Sequence, residues 1–350
     1  MRRHLSLRIA LFVLLAGCAG VRGAIELDKP TPPPSPFALP AEFEPVDRVL
    51  IGFEQGNWDY LPYFTELAED VAQHADVVVV GDEIDRSAFA EHLVSVGVRP
   101  ERIQQVEAPL DSMWIRDYGP MFVRTHDGTL AVVDLPYHDD RVADDELPGR
   151  IASLERRLHV RVKLPLEGGH IQSDGSGRCV VTDQVMHLAQ LDLGLGPNDV
   201  ADELYALFGC EETTWVPAMA GEETGHLDVF ALVTGPGRIL VGRYERAQDP
   251  LNARLLDEAA ETLANAGFVV TRIPMPSNGH QRIFRTYTNA LILDDAVLVP
   301  VFGGHAYRER EALDVLAEAF PTRRIVPIDA SGVMELAGAV HCTTRAVPRE

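Results

Sequence analysis

Five short apolar stretches in this 350-residue chain each run into a proline, and those prolines recur at a nearly constant interval. VEAP ends at Pro109, VKLP at Pro165, TWVP at Pro217, TRIP at Pro274 and RIVP at Pro327, spacings of 56, 52, 57 and 53 residues. A period of that length decides the architecture ahead of any local signal. After each proline comes a loop with Gly, Ser or acidic residues, then an apolar stretch carrying polar residues: WIRDYGPMFV, HIQSDG, GHLDVFALV, YTNALIL and VHCTTRAV. In the first four units HDG, DGSG, TGPG and LDD lead into a third apolar run, which is a hairpin signal. A helical pattern then follows over 145–159, 198–208, 250–266 and 307–320. Leu255, Ala259, Leu263 and Ala266 share one face of the third, and Leu313, Leu316, Ala317 and Phe320 one face of the fourth.

The unit is therefore strand, strand, strand, helix, and the fifth copy stops after its second strand. The N-terminal segment offers what that copy lacks: strand 46–53, helix 59–74, strand 76–81 and helix 85–96. These patterns predict a five-bladed α/β propeller with pseudo-fivefold symmetry, closed by joining the chain ends and leaving few unpaired sheet edges. A Kelch-type propeller has a similar period but four strands per blade and no such helices. A dinucleotide-binding sheet would need a G-x-G-x-x-G after a strand, which is missing.

Equivalent units place residues at similar offsets near one axis. Those residues are Asp117 in the first unit, Glu167, His170 and Asp174 in the second, His226 and Asp228 in the third, Asn289 in the fourth and Cys342 in the fifth. Asn289 and Cys342 stand at the same offset from their prolines. Each has a bland reading alone: Asp117 caps a turn, His226-x-Asp228 is a structural pair on one strand face, Cys342 is a small buried hydrophobe. One such element per repeat favours a nucleophile, an acid/base and a cation receptor. A guanidinium fits that set, because it is a planar cation that carboxylates bind bidentately and its carbon accepts a thiolate.

The first seventeen residues carry Arg2, Arg3 and Arg8 with no acid, then the apolar run Ile9–Ala16. That run is far shorter than the roughly 20 residues of a bilayer span, so residues 1–17 read as an export signal. Leu15-Ala16-Gly17-Cys18 resembles the lipobox of bacterial lipoproteins, with Cys18 as the lipidated residue. The predicted organisation is a signal peptide over 1–17, a lipidated cysteine and Pro-rich spacer over 18–42, and one domain over 43–350. The expected location is outside the cytoplasm, tethered to a bacterial membrane. An exported context permits a disulfide between Cys179 and Cys210, but sequence does not show that they meet, and the pairing is not favoured on sequence alone.

A formal charge of -22 argues against nucleic-acid binding, which needs a basic face; a cationic ligand is its natural counterpart, although an acid excess alone is more often a device for solubility. A metal-dependent ureohydrolase also acts on guanidines, but its clustered Asp and His ligands, such as S-x-D-x-D, are missing. A surface propeller that binds cations without turnover is the other class; it would have no use for Cys342.

Five motifs in order, MWIRDYGP (113–120), LEGGHIQSDG (166–175), TGHLDVFA (224–231), TYTNALIL (286–293) and AVHCTTRAVP (339–348), resemble agmatine deiminase and the Porphyromonas-type peptidylarginine deiminase, within the guanidine-modifying penteins. The resemblance covers roughly 43–348. It implies a pentein fold, no cofactor and no metal, with Cys342 as nucleophile, His226 as acid/base and Asp117 and Asp228 as guanidinium carboxylates. Asn289 would lie beside the thiol and Trp114 would wall the entrance, with Glu167 and His170 also in the substrate site. Where the peptidylarginine enzyme has two arginines for a peptide carboxylate, this chain keeps Arg141 and has Asp139. The expected reaction is agmatine to N-carbamoylputrescine and ammonia, with peptidyl or free arginine as the alternative substrate.

Overall fold

The computed structural model describes residues 35–276, 283–303 and 308–350. The export signal, Cys18 and the spacer as far as residue 34 lie outside the described residues. The described strands form five small sheets. Four share one plan. An antiparallel hairpin is followed by a helical crossover, which returns a third strand parallel to the second, as a parallel pair requires. Thus Ala231–Gly235 pairs with Arg238–Arg243, the helix Pro250–Asn265 crosses over, and Val269–Pro274 lies parallel to Arg238–Arg243. The same plan joins Met121–Thr125, Leu130–Asp134 and His159–Arg161; Ile171–Ser173, Arg178–Thr182 and Glu212–Val216; and Leu291–Ile292, Ala296–Val301 and Arg324–Asp329.

Each sheet is offset by one strand from the unit read in sequence. The stretch that ends at the periodic proline belongs to the preceding hairpin, because the helix before it is that hairpin's crossover. The fifth sheet joins the chain ends as expected: Thr344–Pro348 runs antiparallel to Val46–Gly52, with Thr344 opposite Ile51 and Ala346 opposite Val49. Asp76–Gly81 and Ile103–Glu107 continue it in parallel, through the helices Leu61–His74 and Glu83–Val96. Asp82 caps the second of these, accepting from the backbone N–H groups of Ile84 and Asp85, and Gly97 ends it in the left-handed region at φ 113°.

The folded region starts before Phe43. Phe37–Ala38 adds a strand to the sheet of Met121–Thr125, Leu39 donates its N–H to the Phe208 carbonyl at 2.7 Å, and Phe37 and Leu39 pack on the core around Val181 and Phe208. Composition misplaced this boundary: proline suits an edge strand as well as a spacer. A further correction concerns the helical faces. In Pro250–Asn265 the buried stripe is Ala253, Leu256, Ala259, Ala260 and Leu263, so Leu255 is only half-buried and Ala266 lies exposed beyond the end. In Glu309–Ala319 it is Ala312 and Leu316 that are buried, with Ala317 exposed. The helix Asp183–Leu193 was not expected at all. Cys179 and Cys210 form a disulfide, with Cα atoms 5.5 Å apart.

Candidate active site

The first strand of each of the five hairpins is preceded by a polar loop, and the residues predicted for the centre stand in those five loops, except Asp174, which lies past Ile171–Ser173 in the hairpin turn and accepts from Ser176 and Gly237 N–H. Asp117 lies in a single helical turn, Ile115–Tyr118, ahead of Met121–Thr125. Glu167 and His170 precede Ile171–Ser173, His226 and Asp228 precede Ala231–Gly235, Asn289 precedes Leu291–Ile292, and Cys342 precedes Thr344–Pro348. His226-x-Asp228 is therefore a turn, not a strand: the N–H groups of Leu227 and Asp228 both donate to the Gly169 carbonyl, and Phe230 N–H folds back to Leu227. His226 faces a cavity of about 760 Å³, while Asp228 stands behind the thiol without bordering that cavity.

Cys342 is 6% exposed and lines the cavity. Asn289 organises it from both sides, donating from Nδ2 to Sγ at 3.1 Å and accepting with Oδ1 from the N–H groups of His341 at 3.0 Å and Cys342 at 3.3 Å. The thiol donates to Asp228 Oδ2 over a long 3.9 Å. Burial first, then the charges of Asp228 and Asp117, push the thiol well above the ordinary cysteine range, against the pull of Asn289.

His226 Nε2 donates to Glu167 Oε2 at 2.9 Å, and Nδ1 lies 3.7 Å from Asp117 Oδ1. Burial would lower this imidazole, but the carboxylates of Asp117, Glu167 and Asp228 outweigh it and push the group up to about 10. Burial raises Asp117 to about 8, despite the cation beside it. Glu167 is held down at about 2, where hydrogen bonding from His226 overcomes burial. His226 is thus a proton donor at neutral pH and Asp117 an acid that a second cation would ionise. Asp117, Glu167 and His226 also bring three donor atoms within 4.8 Å of one another, the arrangement among the described residues that could take a cation. Asp117 Oδ1 and Asp228 Oδ1 are buried without a hydrogen-bond partner among the described residues, two open acceptors on the carboxylates whose charges act on the thiol.

The glycines of LEGGH have a steric task. A Cβ on Gly169 would lie 2.4 Å from His226 Nδ1, so only glycine lets the ring sit there. His170 packs edge-on against His226 with centroids 4.5 Å apart, accepts from Glu167 N–H at Nδ1 and donates from Nε2 to the Thr224 carbonyl. Burial first, then the charge of His226, lowers it to about 4, so it is a neutral spacer rather than an acid. Trp114 walls the cavity as expected, its ring so close over Gly338 that a Cβ there would meet it at 2.1 Å.

At the mouth the specificity argument changes. Asp139 is exposed and does not border the cavity. It sits on a turn that points the neighbouring Arg141 inward, where Nη1 donates to Tyr137 Oη at 3.0 Å. Besides Asp117 and Glu167, the acids that line the cavity are Glu222, Glu223 and Glu335, which sequence reasoning missed. Glu222 also fixes the loop beneath, accepting from Thr224 Oγ1 and from Gly225 N–H at 2.6 Å. Three further residues were missed: His341 bridges Asp228 and Glu42 at 2.6 Å to each, and Arg116 pairs with Glu42 at 2.9 Å. His341 had a signal, adjacency to Cys342; Glu42 had none, since it lay in the supposed spacer.

A sequence model of the Porphyromonas-type peptidyl-arginine deiminase family matches residues 38–348. A protein of Selenomonas ruminantium named "Putative agmatine deiminase" is 26% identical, over 91% of this chain and 97% of its own length. The solved agmatine deiminase of Enterococcus faecalis superposes with a TM-score of 0.79 at 22% identity, covering 90% of this chain and 96% of that one. That of C. jejuni gives 0.76 at 17%, covering 90% and 96%.

Proposed function

Because the chain belongs to the Porphyromonas-type peptidyl-arginine deiminase family, hydrolases acting on guanidino C–N bonds, we propose that it converts agmatine to N-carbamoylputrescine and ammonia through a covalent adduct on Cys342. The observation that carries this reading is the pair of open buried acceptors, Asp117 Oδ1 and Asp228 Oδ1, on the two carboxylates that oppose ionisation of the Cys342 thiol. A guanidinium supplies the missing cation. As it binds, Asp117 ionises, and the thiol proton leaves to solvent. The thiolate then forms a C–S bond to the central carbon, His226 passes its proton to one amino group, and the C–N bond breaks to release ammonia. The resulting thiouronium holds its positive charge between the carboxylates. His226, now neutral, takes a proton from water as the oxygen bonds to carbon. Collapse breaks the C–S bond, returns the thiolate and leaves the ureido product, the hydroxyl proton going to the released ammonia.

Agmatine is favoured by the acids at the mouth, since Glu222 and Glu223 suit the ammonium at its far end. Arg141, which lines the same cavity, favours a carboxylate and so keeps peptidyl or free arginine as the second reading. The reaction as written requires no metal or cofactor. The five sheets, one polar loop from each reaching one cavity, are read as the blades of a pentein propeller. We further place the domain outside the cytoplasm as a lipoprotein anchored at Cys18, a reading supported by a disulfide of the kind oxidising compartments preserve.

The deciding experiment incubates the full chain with agmatine, free arginine and a peptide ending in arginine, and measures ureido product and ammonia from each. Agmatine should lead. Product from the peptide alone would move the assignment to protein citrullination, and no product from any would leave a cation-binding protein.

A further inference from the structure

The residues behind the thiol form a continuous line of alternating charge that begins outside the repeats. Arg116 Nη1 donates to Glu42 Oε1 at 2.9 Å, His341 Nε2 donates to Glu42 Oε2 at 2.6 Å, and His341 Nδ1 donates to Asp228 Oδ2 at 2.6 Å. Arg116, His341 and Asp228 are all nearly inaccessible, at 3%, 1% and 1% exposed. Both ring nitrogens of His341 face carboxylates, so both carry protons and the ring is a cation. The order is guanidinium, carboxylate, imidazolium, carboxylate, and beyond Asp228 comes the thiol. The place for the next cation, between Asp228 and a thiolate, is where the proposed substrate would sit.

We propose that Glu42 is a positioning residue of the catalytic centre: through His341 it holds Asp228 as an oriented carboxylate, so that a segment ahead of the first repeat completes the site. The inference rests on the guanidine-hydrolysing reading for its activity arm. Glu42 reaches the centre because its segment is pinned on both sides. Ala41 N–H donates to Glu44 Oε1 at 2.9 Å, Arg323 donates to the Phe43 carbonyl at 2.6 Å, and Val46 N–H donates to Asp294 Oδ1 at 2.8 Å. Arg116, Arg345 and His341 face Glu42; Arg116, Glu42 and Asp228 face His341; and His341, His226 and Arg116 face Asp228. Burial would raise Asp228, and the hydrogen bond and charge of His341 reverse that. A neutral group in place of Glu42 leaves His341 between one carboxylate and Arg116, which favours the neutral ring. Asp228 would then lose its cation and take up a proton.

The test is Glu42→Gln in the full chain, which keeps size and an acceptor but removes the charge. The first readout does not depend on turnover: the ring 15N shifts of His341, assigned by their disappearance in His341→Asn. In the parent protein both nitrogens should read as protonated at pH 8; in Glu42→Gln the titration should move at least one unit lower. With agmatine, kcat/KM should fall between about tenfold and a hundredfold, the size of one lost charge-assisted hydrogen bond. Its acid limb should move to higher pH, because Asp228 joins Asp117 in needing to lose a proton. Glu42→Asp, which keeps the charge, should recover most of the loss. An unchanged His341 titration, or a Glu42→Gln profile matching the parent, overturns the proposal. If Glu42→Gln does not melt cooperatively, His341→Asn takes its place in the assay: it still donates to Asp228 but carries no charge, and a parent-like acid limb there overturns the proposal equally. A parent protein that turns over no guanidine sinks the proposed reaction, while the His341 titration still decides the role of Glu42.

Discussion

Replacing Glu167 with glutamine tests the proton donor directly. The side chain keeps an oxygen for His226 Nε2 at 2.9 Å, so packing is preserved and only the charge is lost. Two unit charges about 4 Å apart interact by about 4 kcal/mol in a partly screened protein site, an upper limit that desolvation reduces. A hydrogen bond to a charged group contributes about 1.5–3 kcal/mol net, which at 1.36 kcal/mol per unit is a fall of about one to two units in the His226 pKa. From about 10 it drops to the region of 8 to 9 in the variant, by the same conversion. Glu167 also raises Asp117, which sits at about 8, so its removal lowers that group too. The attacking thiolate and the donating imidazolium are needed together, so the pH profile of kcat/KM for ammonia release should be a bell, and in Glu167→Gln the limb that His226 sets should move towards acid by about one to two units. The assay is a coupled ammonia measurement from pH 6 to 11 with agmatine well below KM. A profile in which both limbs stay in place would refute the claim that Glu167 sets the proton affinity of His226.

Cys342→Ala should abolish ammonia release while leaving the melting temperature close to that of the parent, and parent-like turnover in it would remove the nucleophile assignment. The Cys342 thiol should be alkylated faster by a neutral reagent when an unreactive guanidinium analogue is present, because the cation offsets Asp228 and Asp117; a rate indifferent to the analogue would contradict substrate-assisted ionisation. Thermal stability should fall as pH rises from neutrality. His226 is raised in the folded state, so its contribution is complete below its unfolded pKa of 6.5 and is lost as pH climbs through about 10, which a melting series from pH 6 to 10 would detect. Leu263→Ala, at a fully buried position facing its sheet, should cost about 2–5 kcal/mol in denaturant unfolding with kcat unaffected. Reducing Cys179–Cys210, which closes a loop between residues 31 apart, should cost roughly 3–4 kcal/mol by the same measurement.

The parts of this molecule that repeat were legible in its sequence, and the parts that do not repeat were not. Asp117, Glu167, His226, Asn289 and Cys342 stand at comparable places in successive units, so the period led to them without knowledge of contacts. Which strand belongs to which sheet was misjudged because periodicity gives an interval and no phase; the crossover helix decides the phase. Glu42 was hidden by composition, since a Pro-rich stretch reads as solvated chain until its pairing with Met121–Thr125 is seen. Asp139 was given a role by its position in a motif, but its direction depends on the turn that aims Arg141 inward instead. The helix Asp183–Leu193 went unseen because CVVTDQVMHLAQL passes from strand to helix with no glycine or proline between them.

The pairing of Thr344–Pro348 with Val46–Gly52 has a consequence for the order in which the protein comes into being. One edge of that sheet is supplied by residues that follow every other described strand in the chain, and the thiol lies just ahead of them. Until they are made, the loops of four sheets surround an unfinished cleft. The thiol and the strand that covers Val46–Gly52 are thus delivered together, so a chain that stops ahead of Cys342 has both an open edge and a site without its sulfur.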